Sequence, residues 1–315
     1  MISDVSFEIL SKCPNNCLYC SSCSSTEEKD IFSFDVIRDV VWHLAKLPVK
    51  RICLSGGEPF LHDDLLAIVE IITKSGITCD IYSAGITIED HAISAITRDQ
   101  FAKLRQGGLN RIMFNLQAID ESKYDLIMGT TGRQQYLFTS IQNAVECGIE
   151  TEIHFVPMTH NVDQIDKVLT YADSQNIKRV SFLKLVRHGR AEHNGLELSI
   201  QDEIAVCQKL ANLAKFNPKI RIGIPLIFGK TVASCHAICD KIYIKYDGSV
   251  YGCEAFKYVK FDDVEVPNVH ANNIQFIISN SQYFENSKQL LDTYKCGDNS
   301  CPVQNYMRTG GMSNG

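Results

Sequence analysis

Three thiols stand within eight residues in Cys13-Pro14-Asn15-Asn16-Cys17-Leu18-Tyr19-Cys20, directly after the apolar-alternating run Val5-Ser6-Phe7-Glu8-Ile9-Leu10. Thiolates are soft ligands that select zinc or iron–sulfur clusters. Three ligands are one short of a closed site: a four-iron cluster held by three cysteines keeps one iron free for a non-protein ligand, much as a catalytic zinc keeps an open position. The cysteine spacing alone fits a structural zinc or redox site equally well. A second segment separates the readings. Ser55-Gly56-Gly57-Glu58-Pro59-Phe60 follows the strand-like Arg51-Ile52-Cys53-Leu54 and precedes a helix-like run from about Asp63. Its glycines admit close backbone approach to a ligand and Glu58 adds a carboxylate, a combination suited to an α-amino group.

C-x3-C-x2-C with an aromatic before the third cysteine, followed one βα unit later by G-G-E-P, resembles the signature of the radical S-adenosylmethionine (SAM) superfamily. The resemblance implies a [4Fe-4S] cluster on Cys13, Cys17 and Cys20, with the amino and carboxylate groups of SAM on its free iron. It implies reductive cleavage of SAM to methionine and a 5′-deoxyadenosyl radical that abstracts hydrogen from substrate. An electron donor such as flavodoxin or ferredoxin goes with that chemistry.

The elements that must position these groups read as alternating βα units. Strand patterns fall near 5–10, 51–55, 77–84, 110–117, 150–157 and 178–187, and helical patterns near 33–47, 63–75, 98–106, 135–147, 163–175 and 199–215. Alternation of this kind argues for an α/β fold with a parallel sheet. An open doubly wound sheet would satisfy it; the resemblance favours a partial, splayed (β/α)6 TIM-type barrel over residues 1–230. In either architecture ligands sit at the carboxyl ends of the strands, where the cysteine loop and the Gly56-Gly57-Glu58 loop both lie.

Further candidates follow on the same strand ends. The third strand ends in Ser83-Ala84-Gly85, where relatives often carry Thr-Asn-Gly; Ser83 is a candidate contact to the methionine end of SAM or simply a serine closing a strand. The fourth strand alternates an apolar face, Ile112, Phe114 and Leu116, with a polar one, Arg111, Met113, Asn115 and Gln117. A polar face on a buried parallel strand must look into a wet or ligand-filled lumen. Asn115 is the candidate for the ribose hydroxyls of SAM, and Gln117 for SAM or substrate. Arg133 is a candidate for a carboxylate, the alternative being a surface arginine. On the fifth strand Glu152 and His154 share one side and could position substrate or move a proton; the alternative is a satisfied internal pair. Tyr19 and Leu185 are placed to pack against adenine, with ordinary core packing as the alternative, and Lys184 or Arg187 to meet an anion.

The chain changes character after Asn217-Pro218. Cys235 and Cys239 precede a period-two alternation on both sides of Asp247-Gly248, a hairpin signal, which returns the chain to Cys253. Cys296 and Cys301 follow. This arrangement resembles the twitch or SPASM modules appended to radical SAM barrels, which implies a module over residues 231–315 with one auxiliary [4Fe-4S] cluster on Cys235, Cys239, Cys253 and either Cys296 or Cys301. Tetrathiolate zinc suits the spacing too. Cys23, Cys53, Cys79, Cys147 and Cys207 read as small buried hydrophobes. The tail Arg308–Gly315 loosely resembles that of the GTP cyclases of molybdenum-cofactor synthesis, without their arginine-rich pocket.

A chain of 315 residues with 45% hydrophobic and 22% charged residues can bury a large core, and a net charge of −6 implies no general attraction to nucleic acid or anionic membrane. The first residues lack a signal-peptide pattern, and no apolar run nears the roughly 18 residues of a membrane span. With 13 cysteines and no secretory signal, the thiols are expected to be reduced and the location cytoplasmic. The resemblance to radical SAM enzymes with twitch or SPASM modules implies hydrogen abstraction from a C–H bond of a ribosomal peptide, giving a crosslink, oxidation or epimerisation. The first strand starts within five residues of Met1, so leader recognition would fall to a separate leader-binding protein. The alternatives are the same chemistry on a small metabolite, and, in another class, a non-catalytic iron–sulfur electron carrier or zinc protein. Glu58 and its glycines argue against the carrier.

Overall fold

The computed structural model describes residues 1–89, 92–227, 235, 237–294 and 301–308. Strands and helices alternate as β1 (Asp4–Leu10), α1 (Phe34–Leu44), β2 (Arg51–Gly56), α2 (Leu65–Lys74) and β3 (Thr78–Ser83). A hairpin of β4 (Ile86–Glu89) and β5 (Ala92–Ala95) interrupts before α3 (Arg98–Gln106) and β6 (Leu109–Asn115). Then come α4 (Glu121–Met128), α5 (Gln134–Glu146), β7 (Glu150–Phe155), α6 (Ile165–Ser174), β8 (Arg179–Phe182), α7 (Ile200–Ala214) and β9 (Ile220–Ile222). The C-terminal segment contributes β10 (Lys241–Ile244), β11 (Val250–Tyr251), α8 (Ile274–Asn280), α9 (Gln282–Thr293) and α10 (Pro302–Arg308).

Local chemistry explains the principal elements. Ser33 caps α1 by accepting from the Val36 amide, and Ile37, Val40, Val41 and Leu44 then fall on one buried face. Thr97 and Gln100 form a reciprocal capping box on α3. Each central strand buries one apolar row beneath the helices, as with Phe7 and Ile9, Ile52 and Leu54, Ile112 and Phe114, Ile153 and Phe155.

The nine strands of the main sheet run in the order β11-β10-β1-β2-β3-β6-β7-β8-β9, with β11 and β9 as edges, so the sheet is open. All neighbours are parallel except β10 and β11. The six expected βα units are present. The sixth strand stops at Phe182 rather than near 187, because its partner β9 pairs only from Val180 to Phe182. The Asp247-Gly248 hairpin forms, with Tyr243 opposite Tyr251 and Gly248 at φ +88°. Its first strand extends the core sheet: β10 pairs in parallel with β1 from Asp4–Lys241 to Phe7–Ile244.

Because parallel neighbours are in register, side chains of one parity line up across the sheet. Ser6, Cys53, Asp80 and Arg111 form one such row, and Asn115, His154 and Ser181 another nearer the carboxyl ends. This is the polar inner face expected from the alternation of β6.

Candidate functional site

The cysteine loop leaves β1 at Leu10 and is docked by backbone contacts on every side. The Gly57 amide donates to the Leu10 carbonyl at 2.8 Å and the Glu58 amide to the Lys12 carbonyl at 2.9 Å. Both glycines serve this contact. Gly56 sits at φ +126°, where a Cβ would lie 2.2 Å from the Leu10 oxygen, and a Cβ on Gly57 would lie 1.9 Å from the Lys12 oxygen. The end of α4 accepts from Asn16 at 3.1 Å and Leu18 at 2.9 Å, through Met128 and Ile127. Arg133 donates to the Pro14 carbonyl. Arg190 spans the loop, with Nε on the Cys17 carbonyl and Nη2 on the Ser24 carbonyl, both at 2.8 Å.

The loop brings the three thiols together. Burial pushes Cys13 well up, and the nearby Cys17, Glu58 and Cys20 push it further. Burial likewise raises Cys17 to about 12, with Cys20 adding to the effect and Arg190 opposing it. A cationic centre bound there would stabilise them as thiolates. Among the described residues no three His, Cys, Asp or Glu side chains converge on a single metal ion. A cluster, by contrast, takes each cysteine on a different iron, so this donor set fits one.

The second loop is tied to the end of β3 through Glu58, which is fully buried. Its carboxylate accepts from the Ala84 amide at 2.6 Å, the Ser83 hydroxyl at 2.9 Å and the Phe60 amide at 3.2 Å. Burial raises it to about 8 against those three hydrogen bonds. Ser83 also accepts from the Gly85 amide at 2.8 Å. So Glu58 and Ser83 brace each other, and the backbone of Ala84 provides a donor although its side chain cannot. Tyr19 donates to Asn115 Oδ1 at 2.5 Å, joining the cysteine loop to the end of β6. Gln117 is fully buried: its amide nitrogen serves Asn115 and the His154 carbonyl, and its oxygen accepts from Val156 at 2.9 Å. It braces Asn115.

Two charge networks line the inner face. In the first, Glu152 accepts from Arg111 at 3.1 Å and from Ser181, and lies 3.2 Å from His154 Nε2; Arg111 pairs with Asp80 at 2.9 Å. Burial alone would raise Glu152, but His154, Ser181 and Arg111 outweigh it and hold the carboxyl at about 2. A carboxyl depressed from 4.5 to about 2 contributes stability above pH 4.5 that is lost as pH falls toward 2. Glu152→Gln should therefore lower stability at neutral pH and flatten the acid limb of a denaturation-midpoint profile between pH 4.5 and 2; an unchanged acid limb would remove Glu152 as its source. The His154 ring packs 4.9 Å from Tyr82.

The second network joins the ends of the chain. Lys257, 1% exposed, reaches Glu8 at 3.0 Å, Ser22 at 2.6 Å and Ser21 at 3.2 Å, and Ser22 donates to Glu8. His188 donates to the Ala255 carbonyl at 2.8 Å, and Gln304 of α10 to the Leu185 carbonyl at 2.9 Å. Leu185 is buried beneath that contact. Arg187 and Lys184 are paired with Glu197 and Glu203, so neither stands open for an anion.

Of the C-terminal thiols, Cys253 is pushed to about 12 by burial, then by Cys301, with Lys241 opposing and Cys235 adding. Cys301 opens α10, where the Gln304 and Val303 amides partly offset its burial. Cys239 is exposed. Cys296 and the tail from Thr309 lie outside the described residues. Cys53, Cys79 and Cys207 are buried as expected, but Cys23 and Cys147 are partly exposed, Cys23 at φ +55° in the turn after the third thiol and Cys147 at the carboxyl end of α5.

The model of the Radical SAM superfamily matches residues 7–172, more than half of the chain. The chain belongs to this superfamily. It is 25% identical over 266 residues to a probable GTP 3′,8-cyclase of Methanococcus aeolicus, covering 80% of this chain and 85% of that one. It is also 25% identical over 188 residues to the PqqA peptide cyclase of Rhizobium meliloti, covering 59% and 48%. Among solved structures, SuiB of Streptococcus suis bound to its precursor peptide SuiA superposes with a TM-score of 0.75 at 14% identity, over 91% of this chain and 67% of that one. anSMEcpe with bound AdoMet gives 0.69 at 15% identity, over 91% and 82%. As a radical SAM enzyme the protein uses a [4Fe-4S] cluster and SAM and needs a reductant. No helix among the described residues is long and apolar enough to cross a membrane.

Arg190, Lys257 and Glu8 escaped the sequence reading. Glu8 alone carried a signal, as a carboxylate inside an otherwise apolar strand pattern.

Proposed function

We propose that this enzyme abstracts hydrogen from a C–H bond of a ribosomally made peptide, leading to a crosslink, an oxidation or an epimerisation. Cys13, Cys17 and Cys20 would hold the cluster, which when reduced supplies the electron that splits SAM into methionine and a 5′-deoxyadenosyl radical. Glu58 and Ser83 shape the loop that would meet the methionine end, and Tyr19 with Gln117 presents Asn115 toward the ribose. Glu152, already engaged by Ser181 and Arg111, orients His154, which would position substrate or move a proton.

The observation that carries a peptide over a nucleotide is the charge balance of the inner face. Among the described residues its deeply placed cations Arg111, Lys245 and Lys257 are each paired with carboxylates, Arg111 with Asp80 and Glu152, Lys245 with Asp247 and Lys257 with Glu8. A triphosphate would need cations left over to meet it. SuiB bound to its precursor peptide and the PqqA peptide cyclase are in keeping with this reading. The small-metabolite reading is favoured by the alignment with the GTP 3′,8-cyclase over most of both chains. The deciding experiment is anaerobic turnover with SAM, dithionite and either GTP or short peptides encoded beside the gene. A peptide mass change accompanied by 5′-deoxyadenosine is the expected result; a cyclised nucleotide with unmodified peptide would reverse the assignment.

Residues 231–315 are proposed as a module with a second [4Fe-4S] cluster on Cys235, Cys239 and Cys253, with Cys301 or Cys296 as the fourth ligand. Cys253→Ala should lower iron from about eight to about four atoms per chain while SAM still perturbs the remaining cluster. Wild-type iron near four would remove the second cluster. Reductant is expected from a flavodoxin or ferredoxin, and peptide delivery from a separate leader-binding protein.

A further inference from the structure

We propose that the Asn15 side chain donates a hydrogen bond to sulfur of the SAM-binding cluster and so sets the cluster's reduction potential. This rests on Cys13, Cys17 and Cys20 holding that cluster. Asn15 lies inside the cysteine loop, is 1% exposed, and has no partner for either Nδ2 or Oδ1. An amide buried in that state loses its hydration with nothing in return, and native proteins rarely leave one so.

The nearby backbone groups are already committed. The Pro14 carbonyl takes Arg133, the Asn16 amide goes to Met128, and the Cys17 carbonyl takes Arg190. Other carboxamides behave differently: buried Asn161 bonds through both ends, and the adjacent Asn16 is exposed. Asn15 is thus the one described carboxamide of the loop that is both enclosed and unsatisfied. The loop that holds Asn15 also carries the three thiols, and the Asn15 backbone amide already bonds to Cys13. Sulfides and thiolates are acceptors, and the side-chain amide N–H supplies a further donor. Hydrogen bonds to cluster sulfurs favour the more negative, reduced state and raise the potential.

The test is an EPR-monitored redox titration of the anaerobically reconstituted enzyme, following the signal that responds to SAM. Asn15→Leu keeps the bulk and removes the donor. At a fixed potential its ratio of reduced to oxidised cluster should fall about tenfold, a midpoint about 59 mV more negative, with iron content retained. Asn16→Ala should leave the midpoint in place. Retained iron with an unmoved midpoint overturns the proposal, as does weakened SAM binding with an unmoved midpoint, which would assign the amide to SAM. Where Asn15→Leu fails to hold iron, pulsed EPR on wild-type protein carrying side-chain nitrogen-15 asparagine decides: a coupled nitrogen that persists in Asn16→Ala is expected, and its absence overturns the proposal. A SAM-responsive cluster that survives Cys17→Ala would overturn the cysteine assignment itself, and this proposal with it.

Discussion

Gly57→Ala should yield protein that is nearly devoid of the SAM-binding cluster, cleaves no measurable SAM and unfolds at lower denaturant concentration by at least about 3 kcal/mol. The added methyl would sit 1.9 Å from the Lys12 oxygen and 2.7 Å from the Ser11 oxygen. Both obstacles are backbone, so neither can swing aside as a side chain would. One loop must retreat, and the bonds from Gly57 to Leu10 and from Glu58 to Lys12 go with it. The cysteines follow directly on Lys12, so a retreat of even half an ångström disturbs the spacing of three thiols at once. Gly76→Ala is the control. Gly76 has φ +78° but nothing within 4 Å of its Cβ, so it carries only the backbone strain of a left-handed residue, about 1 kcal/mol. Normal iron content in Gly57→Ala would show that the two loops need not touch.

The second large effect belongs to Lys257→Met. Removing the ammonium leaves Glu8, 3% exposed, without its charge partner, and breaking one side of a buried pair costs about 3–5 kcal/mol. Glu8→Met with Lys257→Met together should recover much of that loss, because two apolar side chains of similar size leave no uncompensated charge. A double-mutant cycle in urea reads the coupling. The loss should persist in high salt, since a pair this enclosed is poorly screened. If Lys257→Met unfolds like wild type, the pair contributes nothing to joining the C-terminal segment to β1 and the cysteine loop.

The core βα units were legible because each is announced locally, by a short apolar run followed by an amphipathic stretch, capped at α1, α3 and α7 by Ser33, Thr97 and Ser199. α4 was not, because its buried Tyr124, Ile127 and Met128 lie in a short stretch whose polar residues do not segregate to one face. β9, three residues long, is too brief to register as a pattern. The hairpin about Asp247-Gly248 was visible, but nothing local says which strand it joins. Its pairing with β1 links positions more than two hundred residues apart.

The same division runs through the site. Cys13, Cys17, Cys20 and the Gly56-Gly57-Glu58 segment could be recognised from residue type and spacing alone, since a cluster and an amino-acid ligand need their donors close together in the chain. The roles of the neighbours could not. The glycines permit contact between loops and Glu58 holds the end of β3, each through a partner from another strand, and Gln117 braces Asn115 while itself held by the His154 carbonyl of β7. Arg190 acts on Cys17 across 173 positions and Lys257 on Glu8 across 249. Sequence by itself determined the chemistry on offer, because reactivity resides in side-chain type and short spacing. Tertiary structure alone decided which groups are buried, paired or left without a partner, because burial and pairing depend on the three-dimensional approach of distant segments.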